Sequence, residues 1–504
     1  MRCVVLASPA VIGVDSSTQS TKTVVIDAES GRILAVGRAA HTVTGEGGAR
    51  ESDPEGWWEA LRTSLGTALD ASGVSPAAVR GIAVAGQQHG LVVLDAAGRP
   101  LRPAMLWNDT RSAPQAEALT AALGGADAWL ERTGSVPVAS MTATTWQWLR
   151  EHEPATAERA AAVRLPHDFL TERLSGVAAT DPGDASGTCW YDTRAGSYDP
   201  ALLDLLGLDP ALLPTVATSG AERVGSLTSA AAAFLGLRPG IPVAAGTGDN
   251  MAAAVGLGLG GAGLLDHPVV SLGTSGTVFT ASRTRPSAAG LAGFAAADGT
   301  YLPLGCTLNC TQAVDKVASL LGLDREDAQP GGHVVVLPYL DGERSPDLPH
   351  AAGLLTGLRH ATTSRQILGA AYEGAVFTLL RVLDEIFATT ALDPHAPDVR
   401  ERPLRLIGGG AKGAAWIETV RRLSGRPVVI PDGEELVAVG AAALAAGAAW
   451  GEDPVGTAAG WGSGRGRELP AVRRDDAAWL RIEAALAGGS GLLQRSGPLV
   501  EGSR

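Results

Sequence analysis

The chain has 504 residues, of which 45% are hydrophobic and 4% aromatic, and a net charge of −13. This length exceeds what one hydrophobic core supports, so two large domains are expected, and an acidic chain without a Lys/Arg cluster excludes a nucleic-acid partner. Its longest apolar stretch, Leu436–Trp450, is rich in Ala and Gly and falls short of the ~20 residues that cross a bilayer, which excludes a membrane span there.

Arg2 and the apolar run through Ala10 loosely imitate a secretory signal. That run passes directly into Ile12, Gly13, Val14 and Asp15, where cleavage would damage a strand. The four cysteines, Cys3, Cys189, Cys306 and Cys310, lack the paired spacing of a zinc site and read as reduced thiols. A cytoplasmic protein is the expectation.

Three β-type runs open the chain, at 11–14, 23–27 and 33–41, and predict an antiparallel meander. Ser52 or Asp53 caps a helix with Pro54 in its first turn, and Trp58, Leu61, Leu65 and Leu69 supply its apolar stripe. A strand follows at 79–85. A turn at 95–99 then joins runs at 91–94 and 101–106, which brings Gln87, Gln88 and His89 to the same end as Trp107, Asn108 and Asp109. Helices and loops fill 113–238. After Pro239, Gly240 and Pro242 the pattern restarts, so domains are expected at 1–242 and 243–487, followed by a disordered Gly/Ser tail at 488–504.

In the second half, runs near 269–271, 278–281, 301–304 and 334–337 read as strands. A long helix starts at Thr363 or Ser364. A strand at 404–407, a glycine run at 408–410 and a helix at 414–423 follow.

A short turn of small and hydroxyl residues stands between two β-type runs once in each half. The first copy lies in VIGVDSSTQSTKTVVID and the second in VVSLGTSGTVFTA. Gly, Ser and Thr let the backbone approach a polyphosphate with its amides and hydroxyls turned toward the oxygens. Either turn alone is also an ordinary tight turn; the recurrence points to phosphates held between two halves.

Asp249, in AAGTGDN, ends a strand-to-turn segment among small residues. It reads either as a helix cap or as a carboxylate in a cleft, and phosphoryl transfer to an alcohol needs such a carboxylate to take the hydroxyl proton. Asp15 suits Mg2+, and Lys22 suits phosphate charge or is an ordinary solvated turn lysine. The run 408–412 follows a strand and opens a helix, the arrangement that exposes backbone amides. The chain has no G-x-x-x-x-G-K-[ST] loop, and 408–413 lacks a ribose carboxylate at Rossmann spacing, so both of those readings fall.

With GQQHG, LRPAMLWNDTRS, LPHDFLTERLSG, DASGTCWYD, GTGDN, SLGTSGTVF and LIGGGAKG in order, the chain resembles the FGGY family of carbohydrate kinases, most closely the branch acting on D-xylulose. The resemblance runs from about Val11 to Trp450. It implies an α/β fold of two ribonuclease-H-like domains of the actin-like ATPase superfamily, with ATP and sugar meeting in the cleft between them. It implies Asp249 as general base and Asp15 as the magnesium-associated acid. Ser17, Thr18 and Lys22 would face the phosphates from one side and Gly273, Thr274 and Ser275 from the other, with Gly409, Gly410, Ala411 and Lys412 along the adenosine. Gln88 and His89 would select the sugar, and Trp107, Asn108, Asp109 and Asn250 would complete the polyol pocket.

The implied partners are ATP and D-xylulose, with no nucleic acid and no membrane, and a homodimer is left open. Three positions depart from the family pattern. Serines stand near Ser16 and Ser20 where many relatives have glycine, Gln88 replaces the usual Met, and Thr145 replaces the signature Lys. A kinase for another ketose or a polyol is the nearest alternative, and a non-metabolic actin-like ATPase the more distant one.

Overall fold

The computed structural model describes residues 8–139, 141–260, 267–348 and 350–493. Two seven-stranded sheets organise it. In the first, Ala10–Ser16 pairs antiparallel with Ser20–Asp27, which pairs antiparallel with Ile33–Ala40. On its other edge Ala10–Ser16 runs parallel to Val79–Gly86, followed by Pro242–Ala244 in parallel and Arg223–Ser226 in antiparallel.

The second sheet repeats this plan. Val269–Leu272 is antiparallel to Gly276–Phe279, which is antiparallel to Tyr301–Thr307. Its other edge is parallel to Leu404–Ile407, then Val428–Pro431 follows in parallel and Gly466–Leu469 in antiparallel. The duplication expected from two hairpins thus extends to strand order and direction across both sheets.

Local chemistry explains where elements begin and end. Asp53 caps Pro54–Ser72 by accepting from the Glu55 amide, Pro54 occupies its first turn, and Gly73 ends it in the left-handed conformation. Its buried Trp57, Leu61 and Leu65 cover the outer strands of the meander. Thr363 and Gln366 form a capping box at the start of Ser364–Thr389. That helix is long and apolar enough to cross a membrane, but 83% of its apolar window is buried in the second lobe.

The boundary expected at 242/243 falls inside the first sheet. Val243 pairs with Ile82, and Thr247 and Gly248 pair with Ala85 and Gly86, so the segment leading to Asp249 finishes the first sheet. Repeated Pro and Gly at 239–242 mark a turn before that strand, and the second sheet starts only at Val269. The tail also differs. Residues 488–493 belong to the Asp476–Leu493 helix, fixed by buried Gly489 and Leu493, and 494–504 lie outside the described residues.

The 91–106 hairpin is partly replaced. Leu91 still donates to the Met105 carbonyl at 2.9 Å, but Val92–Leu94 takes Ala162–Arg164 as its antiparallel partner, and Ala104–Met105 pairs with Glu51–Ser52. The turn nevertheless keeps Leu91 opposite Met105, the residues that follow 87–89 and precede 107–109.

The Ala/Gly run Leu436–Trp450 is a helix with a nearly all-round apolar surface and a buried face against both Ala10–Ser16 and Val79–Gly86. It also packs along Asp249–Gly256. Small residues are required at these crossings. A Cβ on Gly13 would lie 1.9 Å from the Ala438 oxygen, and one on Gly440 1.8 Å from the Ala252 oxygen. A helix late in the sequence therefore clamps the first sheet to the helix that begins with Asp249.

Candidate active site

The first hairpin leaves Ser17–Ser20 between the paired residues Ser16 and Thr21, closed by the Ser17 amide donating to the Ser20 oxygen at 3.1 Å. The second is one residue tighter, with only 273–275 between Leu272 and Gly276. Gly273 is fixed from below, since its oxygen accepts from the Thr311 amide at 3.0 Å and the Thr311 hydroxyl at 2.8 Å, while Thr274 is exposed. The serines near 16 and 20 thus accompany a wider turn, not a distorted copy of the narrow one.

Gly408 and Gly409 are exposed beside this second hairpin, and Gly410 lies so close that a Cβ would come 2.7 Å from the Leu272 side chain. Ala411 is buried and can offer only its backbone, and the exposed Lys412 pairs with Glu434 at 2.6 Å. The structure therefore brings together 408–410 and 273–275, with Lys412 turned into an ion pair.

Asp15 is the penultimate residue of the first strand and is 2% exposed. Ser17 donates to its Oδ1 at 2.5 Å, and Lys22 Nζ lies 3.4 Å from its Oδ2. Burial raises the Asp15 carboxyl despite Lys22. Lys22 also lies 3.2 Å from Glu435, which holds Arg38 at 3.0 Å. Burial would lower the Lys22 ammonium, but Asp15 and Glu435 outweigh it and raise it, so the lysine stays charged. Glu435 immediately precedes the clamping helix, so a residue of the second half holds the first hairpin's cation; no local sequence signal marks this contact.

Asp249 is the first residue of its helix and half-buried. The Asn250 amide donates to its Oδ1 at 2.8 Å, and Asn250 Nδ2 bridges that same oxygen at 3.0 Å to Gln88 Oε1 at 2.9 Å. A helix N-terminus favours an ionised carboxylate. Burial, reinforced by Asp15 and Asp184, nevertheless pushes Asp249 up to about 7. A carboxyl poised there exchanges protons readily at neutral pH.

Gln88 meets Asn250, and its neighbour Gln87 donates its backbone amide to the Ser16 oxygen at 3.0 Å, beside Asp15 in the first strand. Both amide atoms of Gln87, Nε2 of Gln88 and Oδ1 of Asn108 are buried with no partner in the protein. Buried polar groups are ordinarily satisfied, so these donors and acceptors fit a ligand rich in hydroxyls. Trp107 Nε1 donates to Thr18 Oγ1 at 2.9 Å and ties this pocket to the first hairpin.

His89 adopts φ 67 and packs its ring 5.5 Å from Phe294 of the second sheet. Burial and nearby Arg344 push its imidazole down to about 4, which keeps it neutral, with one donor and one acceptor nitrogen. Phe294 and Arg344 approach from more than 200 positions away in the chain, and no motif reading singled them out.

Asp109 departs from its expected place in the pocket. Its Oδ1 accepts from the Arg111 amide at 3.0 Å, and its Oδ2 accepts from the Arg50 amide at 2.9 Å and Arg111 Nη2 at 2.6 Å. With both oxygens committed, it fixes the loop that carries Trp107 and Asn108. Thr145 is fully buried, with its hydroxyl donating to the Thr142 oxygen at 3.0 Å inside its own helix, so this position adds no charge to the site. Among the described residues no group of three or more His, Cys, Asp or Glu is arranged to hold a metal. A single carboxylate, Asp15, is the donor set that suits Mg2+, which takes one or two protein oxygens beside phosphates and water.

The family model of the FGGY N-terminal domain matches residues 10–256 and that of the C-terminal domain matches 269–449. The chain is 56% identical to a xylulose kinase of Streptomyces coelicolor and 53% identical to one of Streptomyces rubiginosus. Each comparison covers 97% of this chain and 98% of the relative. Among solved structures, a xylulose kinase from Bifidobacterium adolescentis superposes with a TM-score of 0.79 at 32% identity, covering 95% of this chain and 99% of that one. The fold, the two-lobed duplication and these matches agree: the chain belongs to the FGGY family of carbohydrate kinases.

Proposed function

We propose that this kinase transfers the γ-phosphoryl group of ATP to the terminal hydroxyl of D-xylulose, yielding D-xylulose 5-phosphate and ADP. The observation that carries this reading is the Asn250 side-chain amide joining the Asp249 carboxylate to Gln88, whose own Nε2 is buried and unpaired. Relatives at 53–56% identity, both named xylulose kinase, supply the sugar.

In this reading Asp249 accepts the hydroxyl proton while the sugar oxygen attacks phosphorus in line. The new P–O bond forms as the bond to the β-phosphate oxygen breaks, and ADP leaves with that electron pair. The turn at 17–20 and the turn at 273–275 offer amides and hydroxyls to the phosphates, and Gly409 and Gly410 line the adenosine side. Asp15 would hold Mg2+, which supplies charge neutralisation on the phosphates. Lys22 keeps Asp15 compensated beforehand and stands within reach of the incoming phosphate charge. Neutral His89 hydrogen-bonds the ketose, and closing the lobes excludes the water that would compete as acceptor.

A coupled ADP assay over ketoses, aldoses and polyols tests this. D-Xylulose should give the highest kcat/KM; preference for ribulose or glycerol would replace the sugar, and sugar-independent ATP hydrolysis alone would favour an actin-like ATPase. The same assay predicts a pH dependence. Asp249 must be ionised to accept a proton, so kcat/KM for the sugar should fall about tenfold per unit below an acid limb near the value of about 7. A flat profile between pH 5.5 and 8 would remove Asp249 from the role.

A further inference from the structure

Beneath the acceptor pocket lies a fully buried group of one imidazole and three carboxylates that the reaction scheme does not use. His167 Nδ1 donates to Asp184 Oδ2 at 2.7 Å, and its Nε2 lies 3.2 Å from Asp168 and 3.8 Å from Asp181. His167, Asp181 and Asp184 are 0% exposed and Asp168 1%. Burial alone would drive the imidazole down, but the carboxylates raise it to about 9, while burial raises Asp168, Asp184 and Asp181. Burying such a set costs more than an apolar core of equal volume, so it calls for a role that oil-like packing cannot fill.

Its placement indicates the role. The His167 backbone abuts Gly86, where a Cβ would come 2.9 Å from the His167 nitrogen, and Gly86 leads into Gln87, Gln88 and His89. On the other side its ring abuts Gly246, where a Cβ would come 3.1 Å from Cδ2 and 2.3 Å from the Val84 oxygen. Gly246 also takes φ 81, so only glycine suits this approach. One residue on, Thr247 Oγ1 donates to Asp181 Oδ2 at 2.6 Å. Asp181 is itself fixed by the Gly183 and Asp184 amides, each at 3.0 Å. The cluster therefore touches both segments that carry the acceptor pocket, and Thr247 gives it a side-chain bond to the base-bearing segment.

We infer that Thr247, held by Asp181 within the His167 cluster, is a positioning residue that fixes the Asp249 carboxylate relative to the sugar loop. This rests on Asp249 being the proton acceptor. A 1 Å displacement of a reacting group costs up to about 100-fold in rate, whereas substrate affinity carried by other contacts is spared.

The test compares kcat, KM and melting temperature for Thr247→Val, Thr247→Ser and Asp249→Asn. Thr247→Val keeps the shape and loses the hydroxyl, so kcat should fall at least about 10-fold with KM for ATP unchanged, and Thr247→Ser should restore kcat to within about twofold. If the valine variant does not fold, Thr247→Ala gives the same comparison without the added methyl. Wild-type kcat in the hydroxyl-less variant, or a serine variant as slow as it, overturns the inference. Full activity in Asp249→Asn instead overturns the reading on which it rests.

Discussion

Asp249→Asn should lose about 10²- to 10⁴-fold in kcat for sugar phosphorylation, the contribution of a positioned general base, while ATP affinity stays within about twofold. The amide keeps the shape and can still accept from the Asn250 amide, which now binds Oδ1 at 2.8 Å. What disappears is the capacity to take a proton. Steady-state kcat and equilibrium nucleotide binding separate the two effects, and near-normal turnover would refute the assignment.

A second readout of the same variant has the opposite sign. The folded-state value of Asp249 is raised to about 7 by burial, Asp15 and Asp184, against 3.8 when free. The native state therefore binds this proton more tightly than the unfolded chain, and stability contributed by the protonated form is lost as pH rises from 3.8 toward 7. Asn does not ionise and escapes that loss. The variant should melt at or above the wild-type temperature at pH 8, with no such advantage near pH 4. Loss of activity combined with a gain in stability is what a carboxylate strained for catalysis predicts.

The parts of the site that local sequence specifies were readable from it. Both hairpins announce themselves because their turns and paired strands are contiguous, and Asp249 because small residues crowd around it. The pairing of Leu91 with Met105 follows from one turn, Asp95 to Arg99. What sequence could not supply is non-local. Val243 joins Ile82 across 160 positions, so a proline-marked restart looked like a domain boundary while adding a strand to the first sheet. Lys22 is legible as a cation at the first hairpin, but its ion pair with Glu435, more than 400 residues later and 3.2 Å away, is not. Asp109 reads as pocket polarity because its partners, Arg50 and Arg111, belong to a loop closure without periodicity. His167, Asp168 and Asp184 of the buried cluster stand inside two motifs, LPHDFLTERLSG and DASGTCWYD, and Asp181 three residues before the second, yet only the fold brings them against GTGDN.

The same dependence on distant packing gives the largest stability effect. Gly440→Ala should destabilise the protein by at least about 3 kcal/mol, more than one added methyl in a core usually costs. The new Cβ would stand 1.8 Å from the Ala252 oxygen and 2.7 Å from its carbon, which are backbone atoms with no rotamer to move. The Leu436–Trp450 and Asp249–Gly256 helices must separate, and Gly256, whose own Cβ would meet the Leu436 oxygen at 2.1 Å, shows that the crossing has no slack on its other side. Such a loss lowers the melting temperature by on the order of 10 °C in lobes of this size. Because the displaced helix begins with Asp249, kcat should fall in the fraction that remains folded. The same substitution at Gly488, an exposed position in the Asp476–Leu493 helix with open space around it, should instead stabilise by about 0.5–1 kcal/mol. Calorimetry on the two variants sets a clash against a propensity gain, and equal effects from both would show that the clamping helix does not hold the Asp249 helix as its geometry requires.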